Sequence, residues 1–216
     1  MTLRVVSWNV RSLRASAAGV AAALRARAPD VVLVQEAPRL LLWRTWDRQL
    51  ARRSGLRLVT GGRPAAGNLL LVSERVEVLA ARSLLLPRRP GLHRRGAVVG
   101  RLAVDGLELA VVGTHLDLDA AARLDSAGRV RAAAPAGVPL LVGADVNEQP
   151  DGPAWQVLAA GLHDVGAALG PTFPAREPRR RIDALLVDPR LQVAGAGVPR
   201  TGRVSDHLPV LVDLRT

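Results

Sequence analysis

Asp145-Val-Asn147 and Ser205-Asp206-His207 each crowd polar groups into three residues of a 216-residue chain. In an extended segment residues i and i+2 face the same way, so the Asp145 carboxylate and the Asn147 carboxamide address one point. Asp206 and His207 stand directly before an apolar run, where polar groups are costly unless paired. Asn9, Glu36 and His115 each close an apolar run, and Asp183 opens one. Carboxylates, amides and imidazoles gathered at one place suit acid–base catalysis and charge stabilisation. Each position alone also has a plainer reading. Asn9 is a good turn former, Glu36 a solvated strand end and His115 a hydrogen-bonded structural histidine. Asp145-Val-Asn147 reads equally as an Asx-type turn helped by Pro150-Asp151-Gly152.

The elements that must position these residues are short and β-branched. Strands are predicted at Leu3–Trp8, Val31–Val34, Leu69–Val72, Val76–Leu79, Ala97–Val104, Leu107–Val112, Pro139–Val142, Ile182–Val187, Leu191–Val198 and Leu208–Leu214. Helices are predicted at Ala15–Ala28, stopped by Pro29, at Leu40–Arg53 and at Pro153–Ala160. Gly61–Gly67 and Pro171–Arg180 read as loops, and no internal repeat or linker divides the chain. A C-terminal strand end and the start of an antiparallel neighbour share one edge of a sheet, so six scattered polar positions converge on one rim. Trp43 and Trp46, at i and i+3 on a helix, are expected to pack together, and Trp8 to lie in the core.

Length and 49% hydrophobic content suit one folded domain over residues 1–216, with an aliphatic core because only 2% of residues are aromatic. The absence of Cys excludes a disulfide framework, a thiolate metal site and a cysteine nucleophile, and no G-x-S-x-G elbow is present. The net charge of +11 comes entirely from Arg, the chain having no Lys, an imprint that GC-rich composition also leaves. Residues 1–101 carry 19 Arg against 5 acids, and the Arg82–Arg101 stretch holds six Arg and His93 with no acid. Such a field favours a polyanionic partner such as nucleic acid. Without an export or membrane-spanning signal, the expected setting is cytoplasmic, and the expected state a monomer without stable membrane insertion.

Taken in order, Ser-Trp-Asn9-Val, Val-Gln-Glu36, Gly-Thr-His115-Leu, Gly-Ala-Asp145-Val-Asn147, Arg-Arg-Ile-Asp183 and Ser-Asp206-His207-Leu-Pro-Val resemble the endonuclease/exonuclease/phosphatase superfamily of DNase I-like phosphoesterases. The Gly67-Asn68 turn and Thr172-Phe-Pro are weaker similarities. The chain departs from the family in spacing its Gly one place from the Asp-x-Asn pair and in having no Tyr to bring near a phosphate. The resemblance implies an α/β (α+β) fold: a four-layer sandwich of two packed mixed, largely antiparallel sheets flanked by helices.

It also implies roles. Four carboxylates on one rim repel a phosphate, a contradiction that a divalent cation removes. Oxygen ligands select a hard ion, Mg²⁺ first with Mn²⁺ or Ca²⁺ as alternatives. Glu36, Asn9 and Asp206 are the implied metal ligands. Asp145 orients or deprotonates the attacking water, and Asn147 and His115 contact the phosphate. His207 stabilises its developing charge with Asp183 fixing the ring. Arg94, Arg95 and Asn68 are candidate substrate contacts. The expected reaction is in-line hydrolysis of a phosphodiester in DNA or RNA. The alternatives are a phosphatase or phospholipase C-like hydrolase of the same superfamily, and a catalytically silent nucleic-acid-binding module.

Overall fold

Both faces of the central strands are apolar, so they must be covered twice. The computed structural model, which describes residues 1–216, does this with two sheets packed face to face and helices on each outer face. The first six strands are β1 (Thr2–Asn9), β2 (Val31–Gln35), β3 (Arg57–Gly62), β4 (Asn68–Val72), β5 (Glu77–Leu85) and β6 (Gly96–Val104). The others are β7 (Leu107–His115), β8 (Leu140–Asp145), β9 (His163–Asp164), β10 (Asp183–Val187), β11 (Val193–Gly197) and β12 (Val210–Arg215). The helices are α1 (Ala17–Arg25), α2 (Trp43–Ser54), α3 (Ala120–Ala132) and α4 (Pro153–Ala159).

One sheet has the order β11-β12-β1-β2-β4-β3, the other β5-β6-β7-β8-β10-β9. In each, the central pair is parallel (β1 with β2, β7 with β8) and every other pair antiparallel. A parallel pair needs a crossover, and α1 and α3 supply it. The two sheets therefore follow one plan, a repetition of topology that no repeat in the sequence announces.

Three cores follow from side-chain alternation. Val5, Leu33, Leu70, Val111 and Leu141 meet between the sheets, while Val6, Trp8, Val32 and Leu69 turn outward onto α1 and α2. Val142 and Leu186 pack outward with Val130, Trp155 and Leu158 of α3 and α4. At the site end the sheets approach closely. Gly113 and Gly143 are register partners on β7 and β8; a Cβ on Gly143 would overlap Leu33 of the facing sheet, and one on Gly113 would press against the same side chain.

The structure departs from the sequence reading in several places. Helix α3 is unforeseen because its buried face is Ala122, Ser126, Ala127 and Val130, too small to give an apolar stripe; Asp119 caps it by accepting from the Ala122 amide. Helix α2 begins at Trp43 rather than Leu40, since Leu42 is left-handed (φ 60) and Leu40–Leu42 stand exposed. Strand β3, rich in Gly and polar residues, extends through Gly61 and Gly62, which had read as loop. Trp8 lies in the core as expected, but Trp46 is 42% exposed, so the Trp43–Trp46 face is only half packed. No helix is long and apolar enough to cross a membrane.

Asp47 on α2 is fully buried and neither carboxylate oxygen has a hydrogen-bond partner. Burial pushes its pKa up to about 7. The folded state therefore holds this proton more tightly than the unfolded chain, and stability falls as pH rises from about 4 to about 7. Asp47→Asn, nearly isosteric and uncharged, is expected to flatten that slope and add roughly 1–3 kcal/mol at pH 8. Thermal denaturation between pH 4 and 8 reads the difference; an unchanged slope would remove Asp47 as its source.

Candidate active site

Register brings three polar residues into one row. His115 at the end of β7 pairs with Asp145 at the end of β8, and Asp145 pairs with Asp183 at the start of β10. On the facing sheet Asn9 ends β1 opposite Gln35, and the chain then turns at Glu36. Glu36 has φ 53, a left-handed conformation that reverses the chain direction at the strand end.

The Asn9 amide joins the two sheets. Its Nδ2 donates to Glu36 Oε1 at 3.0 Å and to Asp145 Oδ2 at 2.7 Å, while its Oδ1 accepts from the Arg11 amide. His115 Nε2 lies 3.4 Å from Asp145 Oδ2, and its Nδ1 3.7 Å from Glu36 Oε1. On the other side, His207 Nε2 is 3.8 Å from the same Asp145 oxygen. Asp145 is thus flanked by two imidazoles and an amide, at 1% exposure.

Those two rings differ in charge. Burial pulls the His115 pKa down to about 3, with Arg95, His207 and Arg39 adding to the effect against the opposing charge of Asp145. The Asn147 amide nitrogen lies 2.9 Å from His115 Nε2 and donates to the Leu116 carbonyl, which leaves the His115 proton on Nδ1, facing Glu36. His207 goes the other way. Burial disfavours its charged form, but the charge of Asp183, the Nδ1 bonds to both Asp183 oxygens at 3.0 Å, and the charges of Asp145 and Asp206 outweigh it and raise the pKa to about 9. One neutral and one cationic imidazole therefore face one carboxylate.

A buried frame holds the cation in place. Trp8 Nε1 donates to the His207 carbonyl at 2.9 Å, the Phe173 ring lies 4.7 Å from the imidazole, and Thr172 Oγ1 donates to Asp183. Ser205 Oγ donates to the Asn9 carbonyl and accepts from the His207 amide, tying the Ser-Asp-His turn to β1. None of these supports was singled out as a site residue, although Thr172, Phe173 and Ser205 lie within the motif segments. Trp8, expected in the core although it too lies within a motif segment, shows its second task only in three dimensions.

Other placements revise the sequence expectation. Asn147 is left-handed (φ 54) with its amide N–H on Asp145 Oδ1, so it reaches the site through an Asx turn and not through extended alternation. Both of its side-chain N–H groups are spent on His115 and Leu116. Asp206 is turned to Arg11 at 3.1 Å and joins neither cluster of metal-ligating groups. Asn68 is 0% exposed and donates through Nδ2 to the Ala65 and Gly96 carbonyls, bracing the loop. Arg94 is exposed, whereas Arg95 is mostly buried against Asp117 at 3.2 Å.

Two groups of ligand atoms lie close enough to share an ion: Glu36, His115 and Asp145, and Asp145, Asp183 and His207. The first fits a hard cation better. Its second carboxylate, Glu36, is the more open, whereas that of the other cluster, Asp183, is already bonded to the cationic His207.

A model of the Endonuclease/Exonuclease/phosphatase family matches residues 6–207. No curated protein matches the chain. Among solved structures, a mannosyl-6-phosphatase from Bacteroides thetaiotaomicron superposes with a TM-score of 0.84 at 18% identity, covering 99% of this chain and 100% of that one. TDP2 of D. rerio, complexed with single strand DNA product, gives 0.79 at 18%, covering 100% of this chain and 99% of its own. An endonuclease/exonuclease/phosphatase from Beutenbergia cavernae gives 0.79 at 23%, covering 99% of this chain and 71% of that chain. Six motifs in order, a four-layer sandwich that brings their polar residues to one end of the sheets, and a family match over nearly the whole length agree: the chain belongs to the endonuclease/exonuclease/phosphatase family of hydrolases.

Proposed function

We propose that the protein is a Mg²⁺-dependent hydrolase that cleaves phosphodiester bonds by in-line attack of water, with nucleic acid as its substrate. The observation that carries this reading is the Asp145 carboxylate set between a neutral His115 and a cationic His207, with Glu36 held beside it by Asn9. When bound, Mg²⁺ (or Mn²⁺ or Ca²⁺) supplies Lewis-acid polarisation of the phosphate; Glu36 is its principal ligand, assisted by Asn9 and Asp145. Asp145 orients the attacking water and takes its proton. His207 meets the negative charge that grows on the phosphate oxygens, and Asp183 keeps that ring charged and fixed. His115 contacts the phosphate from the opposite side. Asn147, its donors already engaged, acts by holding the His115 ring.

The choice of nucleic acid is supported by the arginine-rich first half of the chain, and by the likeness in fold to a TDP2 structure holding single strand DNA product. The likeness to a mannosyl-6-phosphatase supports a second reading, hydrolysis of a small phosphomonoester. A screen of the purified protein against plasmid DNA, RNA, bis-p-nitrophenyl phosphate and a sugar phosphate, with Mg²⁺ and with EDTA, tests both. Cleavage of the diesters that EDTA abolishes is the expected result, with Glu36→Gln requiring at least about tenfold more Mg²⁺ for half-maximal rate. Hydrolysis of the monoester alone would favour the second reading, and DNA binding without cleavage would make the protein a silent module.

A further inference from the structure

Beside the catalytic cleft lies an open-sided cavity of about 680 Å³ whose lining includes Arg14, Arg39, Arg63 and Arg94 and no acid. None of these four guanidinium groups is in an ion pair. Four like charges around one space repel each other, so the cavity favours a ligand that brings negative charge. Apart from Ser12, the rest of its wall is apolar. Leu40 and Leu41, 85% and 87% exposed, stand at its mouth with the 42% exposed Trp46, which is a costly arrangement in water unless something covers it.

The cavity adjoins the Glu36 turn of the site. Its residues Ser12 and Pro38 flank the Glu36 turn, where the Ser12 amide donates to the Glu36 carbonyl at 2.6 Å, and Arg39 stands near enough to influence His115. Ser12, Leu13 and Ala66 in its wall are all left-handed, with φ of 53, 57 and 54. Arg39 is anchored on the Arg94 and Ala66 carbonyls at 3.3 and 3.5 Å.

Deepening the hydrolase reading above, on which it rests, we infer that this cavity receives one unstacked nucleotide next to the scissile phosphate, so that the substrate is a single-stranded end or unpaired segment and not an intact duplex. The volume suits a single compact ligand. A planar base lies against Trp46 and the leucines, and the arginines take the neighbouring phosphate, the combination by which sequence-tolerant sites hold single strands. A base still paired and stacked in a duplex has no route into such a pocket without being extruded.

Fluorescence anisotropy in EDTA, with a labelled oligonucleotide as single strand and as blunt duplex, tests the inference without requiring catalysis. The single strand is expected to bind at least about tenfold tighter. Trp46→Ala is expected to weaken it about 5- to 150-fold, Trp46→Phe to retain most of the affinity, and Arg39→Gln with Arg94→Gln to weaken it and flatten its salt dependence. Equal binding of the duplex, or an unchanged affinity in Trp46→Ala, overturns the inference. So does preferential binding of anionic phospholipid vesicles, which would assign the exposed leucines to a membrane surface. Absence of any diester cleavage in the Mg²⁺ screen would instead defeat the hydrolase reading while leaving this binding result legible.

Discussion

Asp145→Asn is expected to lower kcat on a diester substrate by roughly 10²–10⁴-fold with little change in fold. The carboxylate is where the two halves of the site meet: it accepts from Asn9 at 2.7 Å and stands 3.4 and 3.8 Å from the two imidazoles. The carboxamide keeps the shape and the contact with the Asn147 amide, but it sets an N–H donor against the Asn9 Nδ2 donor and cannot take a proton from water. Because it removes a buried negative charge beside His207, the substitution should also lower that ring's pKa. Steady-state rates at saturating Mg²⁺, with a melting curve alongside, check the prediction. A variant within about tenfold of the wild type would remove Asp145 from proton transfer and leave it only a structural part.

Asp183→Asn is expected to act through His207, and its signature is a shift in the pH profile. With the His207 pKa raised to about 9, the cation is present at pH 8 and activity that depends on it falls as pH rises through about 9. Burial alone favours the neutral ring, so removing the Asp183 charge should move that limb down by about two units or more and cost about tenfold or more at pH 8, with little loss at pH 6. Stability follows the same sign. The raised pKa contributes stability that is full below the ordinary 6.5 and is lost as pH rises towards 9, a slope that Asp183→Asn should remove. Identical alkaline limbs in wild type and variant would show that a different group sets the limb. The carboxamide oxygen that replaces the Asp183 carboxylate can still accept from the Thr172 hydroxyl, so the variant tests charge more than packing.

Much of this was legible in the chain. Apolar runs such as Val31–Val34 and Leu107–Val112 mark strands buried on both faces, because two successive side chains must each find a core. Polar residues ending or opening those runs then mark a sheet edge, and Asn9, His115, Asp145 and Asp183 indeed meet there. What stayed hidden has specific causes. Helix α3 buries alanines and a serine, which leave no apolar stripe to read. Asp206 and Asn68 carry the residue types a site needs, yet Arg11 occupies one and backbone carbonyls the other. A residue type advertises a capacity, while its partner decides the use.

The amino-acid order alone determined the layered α/β plan and the set of polar groups at the strand ends, since alternation, capping and strand-end chemistry act over a few residues. Tertiary structure decided which groups meet and in what charge state. His115 and His207 are both imidazoles in the sequence; only burial, aided by the charges of Arg95 and Arg39, on one side and the carboxylate of Asp183 on the other makes the first neutral and the second cationic. The arginine pocket beside Glu36 is likewise assembled from residues 12 to 94, and it exists because two strand ends, a turn and a helix are brought to one place. Charge and burial are properties of neighbours, and neighbours so distant along the chain are set only by the fold.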